Sequence, residues 1–125
     1  MPVKVADASV VAALAFGEPR AQEALRLLNR ADVCAPLLLP FELANVAWKK
    51  AMAAPEQREA ILMGLAHALT LDIELVDVDQ TAVFLLAMSK GITTYDATYL
   101  WVALERNAAL VTFDKALSAA AEDSR

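Results

Sequence analysis

Four acids, Asp7, Glu42, Asp96 and Asp114, stand where a small α/β chain can gather negative charge. Asp7 and Asp114 share one local grammar. Each follows a short apolar run, Val3–Ala6 and Ala108–Phe113, of the kind that forms a parallel strand. If both strands lie parallel in one sheet, both acids emerge at its carboxyl edge, where open α/β sheets bind ligands. Asp96 follows Thr93 by three residues, a spacing that resembles a capping box with Asp in place of Glu or Gln. That puts Asp96 in the first turn of a helix beginning at the same edge. Glu42 falls in or next to the first turn of another helix, between Phe41 and Leu43, an apolar setting for a carboxylate. Carboxylates packed together raise one another's proton affinity. A cation removes that cost, and an all-oxygen ligand set suits Mg2+ or Mn2+. One or two such ions activate water and stabilise the leaving oxygen in phosphodiester cleavage.

Each acid taken singly also reads as a helix cap or a first-turn acid favoured by the helix dipole. The case for a site rests on their convergence. Ser9, two residues after Asp7, and Thr112, two before Asp114, are placed to orient a carboxylate or a water, or to bond nearby backbone. Lys49, Lys50 and Lys115 are candidates for phosphate contact, with ordinary solvated lysines as the alternative. Asp32, Asp72, Asp77 and Asp79 read as loop or exposed-strand acids. His67 has no second histidine to form a zinc site. Cys34, the single cysteine, reads as core and excludes an internal disulfide. Neither a Walker loop nor GxGxxG is present.

The elements that must position these residues follow from the pattern. Strands are expected at Val3–Ala6, Asp32–Ala35, Ile73–Val78 and Ala108–Phe113, the third near an edge and the last internal. Helices are expected at Ala8–Phe16, Arg20–Arg30, Leu37–Ala53, Glu56–Thr70, Gln80–Lys90 with Gly91 as its cap, from Thr93 to about Asn107, and at Ala116–Ala121. The helix carrying Asp96 has almost no polar face, so it is expected to be buried. Glu122–Arg125 is expected to fray. The sum is an α/β fold of βα units around a small parallel sheet, in one domain spanning residues 1–125.

The chain is 58% hydrophobic, above an ordinary soluble domain, which points to a tightly buried helical shell, a protein partner, or both. No apolar run reaches the length of a membrane span, and the N-terminal stretch lacks the apolar region of a signal peptide, so a cytoplasmic location is expected. The net charge of −5 argues against broad nonspecific nucleic-acid binding, but not against a nuclease whose acids a metal neutralises.

VADAS near the N-terminus, PFELANVAWK, TTYDATYLWVALE and ALVTFDKAL, in this order, resemble the PIN-domain ribonucleases, most closely the VapC-type toxins of toxin–antitoxin pairs. The resemblance covers essentially the whole chain. It implies a three-layer α/β/α fold and carries the family's acidic quartet over to Asp7, Glu42, Asp96 and Asp114, with Ser9 and Thr112 at supporting hydroxyl positions. It further implies Mg2+- or Mn2+-dependent endoribonuclease activity, a homodimer and inhibition by a small VapB-type antitoxin, through which alone DNA would be contacted. The competing reading is a catalytically silent PIN-like module that binds protein.

Overall fold

A computed structural model describes residues 1–124. Four strands, β1 (Val3–Ala6), β2 (Asp32–Pro36), β3 (Glu74–Val76) and β4 (Ala109–Val111), form one parallel sheet in the order β3-β2-β1-β4. The helices are α1 (Ala8–Ala15), α2 (Ala21–Leu28), α3 (Leu39–Ala53), α4 (Arg58–Ala68), α5 (Gln80–Lys90), α6 (Thr94–Glu105) and α7 (Lys115–Glu122). Helices α1 to α4 pack among themselves in one layer, and α5, α6 and α7 pack in the other, with α6 lying against β1, β2 and β4. The result is a three-layer α/β/α fold.

The connections explain where a site can open. From β1 the chain steps outward to β2 and then β3, each time through helices of the first layer. It then returns through α5 and α6 in the other layer to place β4 on the far side of β1. Hence the chain leaves β1 into α1 and leaves β4 into α7, on opposite faces of the sheet. Neighbouring parallel strands whose continuations diverge leave a crevice at their carboxyl ends. Asp7 and Asp114 are the residues that follow those strands.

The core lies on both faces of β1 and β2. Val5, Ala6, Cys34 and Ala35 are buried together with Leu39, Leu43, Leu100, Val102 and Leu117. Helix α6 buries six of its twelve residues, which accounts for its apolar sequence, although Leu104 stays exposed.

Several expected boundaries move. β4 is an edge strand rather than an internal one, because the return crossover carries it past β1. It also stops at Val111, since the Phe113 N–H turns to the Ser9 hydroxyl instead of a neighbouring strand. β3 is an edge strand as expected, but it covers Glu74–Val76 alone. Asp79, an exposed loop acid as expected, also caps α5, accepting from the Ala82 N–H at 3.1 Å. α2 ends at Leu28, and Arg30 turns into the left-handed region at φ 57°. A 3-10 turn, Pro55–Gln57, precedes α4. Gly91 ends α5 with φ 66°, where a side chain would be strained. Glu122 closes α7 and the Ser124 hydroxyl donates to the Ala120 carbonyl at 2.8 Å; Arg125, the last of the residues expected to fray, lies outside the described residues.

Candidate active site

Asp7 is buried at the head of α1, with 6% of its surface exposed. Its Oδ1 accepts from the Ser9 hydroxyl at 2.6 Å and the Val10 N–H at 3.3 Å, so it caps the helix. Its Oδ2 accepts from the Thr112 hydroxyl at 2.6 Å. Each hydroxyl also accepts a backbone donor from the β4–α7 loop: the Phe113 N–H bonds Ser9 Oγ at 3.0 Å, and the Asp114 N–H bonds Thr112 Oγ1 at 2.9 Å. A hydroxyl has one proton to give. Because both protons go to Asp7, the pattern suits an ionised Asp7 that ties the ends of β1 and β4 together. Burial raises the Asp7 proton affinity, and the bonds from Ser9, Thr112 and the backbone work against that rise.

Asp114 caps α7 through Oδ1, which accepts from the Leu117 N–H at 2.9 Å, and among the described residues its second oxygen carries no such bond. In α6, Thr93 is the cap, accepting from the Asp96 N–H at 3.1 Å. Asp96 does not return the bond that would complete a capping box. Among the described residues its carboxylate has no hydrogen-bond partner. Partial burial raises its proton affinity, and Asp114 and Asp7 add to the rise by charge repulsion.

Glu42 lies in the first turn of α3, where Pro40 fits because the first helical N–H groups need no intrahelical partner. Its Oε1 is buried without a hydrogen-bond partner. Burial raises its proton affinity, and Asp7 and Asp96 raise it further. The Tyr99 hydroxyl of α6 is near enough to pull the other way, yet neither it nor Oε1 completes a hydrogen bond. Tyr99 is 2% exposed, and burial first, then the Glu42 carboxylate, makes its phenol much harder to ionise than usual.

The structure thus brings Asp7, Ser9, Thr112 and Asp114 into one bonded network. Asp96 and Glu42 stand near enough for charge coupling. Among the described residues, no three His, Cys, Asp or Glu side chains are grouped closely enough to hold an ion as they stand. The donor set still fits a hard cation. It is all oxygen, Glu42 Oε1 is a buried acceptor with no donor, and Asp96 and the second Asp114 oxygen are uncommitted.

The lysines separate. Lys115 is exposed next to Asp114. Lys49 is exposed on α3, roughly 10 Å along the axis from Glu42. Lys50 is paired with Glu18 and lies towards the Phe16 ring. Two residues went unread in the sequence. Tyr99 looks like ordinary core in an apolar helix, and only its place three residues after Asp96, on the same helical face, hinted otherwise. Arg20 lies with its guanidinium 3.7 Å from the centre of the Phe113 ring, bonded to Glu23 and beside the Asp114 loop. No local pattern marks that long-range stack.

The family model for the PIN domain matches residues 4–123. The chain is similar to Ribonuclease VapC3 of Pyrobaculum aerophilum, 32% identical over 120 residues, covering 91% of each chain. Its fold is similar to the crystal structure of PAE2754 from the same organism, with TM-score 0.79, 28% identity, and coverage of 95% of this chain and 84% of that one.

Proposed function

The chain belongs to the PIN-domain family, and from that premise we propose that it is a Mg2+- or Mn2+-dependent endoribonuclease, the toxin of a type II pair of VapC type. One observation carries the reading. A carboxylate oxygen, Glu42 Oε1, is buried without a donor beside Asp7 and Asp96, whose charges raise its proton affinity. A divalent cation, when bound there, supplies the charge that offsets this repulsion and lowers the proton affinity of water.

The chain's own residues supply position. Asp7, fixed by Ser9 and Thr112, keeps acceptor capacity on Oδ2. Asp96 and Asp114 present uncommitted oxygens from the starts of α6 and α7, and Glu42 completes the set from α3. RNA must approach against a net charge of −5. Arg20, stacked on the Phe113 ring, and Lys115 at the rim offset that repulsion for the phosphates. A 5′-labelled single-stranded RNA incubated with the protein should be cut internally with Mn2+ and left intact with a chelator. Cleavage that survives chelation would contradict metal dependence.

Apolar surface supports the partner side of the reading. Phe41, Trp48 and Met52 are 74%, 59% and 66% exposed and share one face of α3. Phe84, Leu85 and Met88 are exposed on α5. Such surface suits a homodimer and an antitoxin segment laid into an apolar groove. Trp48→Glu with Met52→Glu should convert a dimer into a monomer by light scattering; a wild type already monomeric at micromolar concentration would contradict this part. The same surface would serve a silent protein-binding module, and the cleavage assay separates the two. Among the described residues no helix is long and apolar enough to cross a membrane.

A further inference from the structure

We infer that Tyr99 is a positioning residue for Glu42: its hydroxyl donates to one carboxylate oxygen when the acids are brought together around a cation, leaving the other oxygen free to face that cation. The inference rests on the proposed metal site and adds a residue to it. Tyr99 comes from α6, in one helical layer, and Glu42 from α3, in the other, so the pair joins the two layers over the carboxyl edge of the sheet. Tyr99 follows Asp96 by three residues, so both side chains lie on one face of α6. The ring packs in the main core with Leu39, Leu43 and Leu100, which fixes where the hydroxyl can reach. Two buried polar side-chain atoms among the described residues lack a hydrogen-bond partner, and they are the Tyr99 hydroxyl and Glu42 Oε1.

Burying a hydroxyl without a partner is costly, and phenylalanine would fill the same volume without that cost. A phenol here, with its oxygen beside a carboxylate, is explained if the bond forms in the loaded site. Ligand carboxylates are commonly held by such outer hydrogen bonds, and losing one weakens metal binding or activity about 10–100-fold.

The test compares the whole wild-type chain with Tyr99→Phe, Glu42→Gln, the double variant and Asp96→Asn, each melted across a Mn2+ titration. The expected result is a Tyr99→Phe protein that melts without metal at the wild-type temperature or above it. Its Mn2+ midpoint should rise about 10-fold or more. RNA cleavage at saturating Mn2+ should show a lower kcat and an unchanged KM. In the Glu42→Gln background the Tyr99→Phe change should add little, because the two act as one unit. An unchanged midpoint in Tyr99→Phe, with the response lost in Asp96→Asn, would overturn the inference and leave the metal site standing. Additive effects in the double variant would overturn it as well. A full Mn2+ response in Asp96→Asn would instead bring down the metal site, and this inference with it.

Discussion

The two halves of the acidic edge are built differently. At the ends of β1 and β4, Asp7 accepts three bonds, and the two hydroxyls that supply two of them each accept a backbone N–H from the next loop. Across the crevice, Asp96 has no partner among the described residues and Glu42 Oε1 is buried without one. In the first half, both oxygens of Asp7 are satisfied by the protein alone. The second leaves acceptor oxygens open, which is what the proposed cation site requires. A site that must bind and release a charged ligand gains from this division, since the tied half holds geometry and the open half supplies affinity.

That contrast is broken most severely by Asp7→Ala. The change strips the acceptor from two hydroxyls and from the Val10 N–H at the head of α1. It should cost about 3 kcal/mol in a chemical denaturation curve. Thr112→Val removes one donor to Asp7 and the acceptor of the Asp114 N–H, and should cost about 1–2 kcal/mol. Glu42→Gln, in the open half, should leave the metal-free stability near wild type or above it. If Glu42→Gln destabilised the metal-free chain as much as Thr112→Val, the division into tied and open halves would be wrong.

The pH response sharpens the same contrast. Asp7, Glu42 and Asp96 all have proton affinities raised by burial first, with neighbouring carboxylates adding to Glu42 and Asp96. For an acid with a raised folded-state pKa, protonation favours the folded form. The metal-free protein should therefore gain stability as pH falls through the raised values towards the ordinary carboxylate range near about 4. Above those values the penalty is fully present. A Glu42→Gln, Asp96→Asn double variant should show a flatter rise in Tm over that window. An equally steep rise in the double variant would place the effect elsewhere.

Arg20→Ala is the mildest change. It removes a rim cation stacked on Phe113 but no acid, so the RNA KM should rise severalfold at low salt, with kcat little changed. The difference should shrink as salt screens the contact. A collapse of kcat instead would mean that the Phe113 loop carries Asp114 out of place when the stack is lost.

Much of this was legible in the residues. Asp7 and Asp114 were readable because an apolar strand followed by an N-cap acid is a local pattern, and local patterns survive folding. The place of Asp96 in the first turn was readable from its distance to Thr93, which caps the helix; among the described residues the Asp96 carboxylate does not return the bond. Strand order was less legible. Periodicity shows that Ala109–Val111 is apolar, but the crossover through α5 and α6 decides that it lies at an edge. Tyr99 and Arg20 were hidden for a related reason. Their partners, Glu42 and Phe113, are distant in sequence, and nothing local distinguishes a tyrosine that meets a carboxylate from one that fills a core. The pairing of Lys50 with Glu18 was hidden in the same way, since the two are 32 residues apart in sequence.

The acids either form a cation site for RNA cleavage, as proposed, or serve only as a set of helix caps. The most direct measurement is the Tm of wild type and Asp96→Asn with and without Mn2+, with RNA cleavage assayed on the same preparations. Asn caps a helix about as well as Asp, so a capping role predicts equal behaviour in both proteins. A cation site predicts that Asp96→Asn holds or gains stability without metal, because a repelling charge is gone. It should lose most of the Mn2+-induced stabilisation, which follows ligand affinity for the folded state, and its cleavage should fall by orders of magnitude. Equal Mn2+ shifts in the two proteins, or undiminished cleavage by Asp96→Asn, would contradict the account.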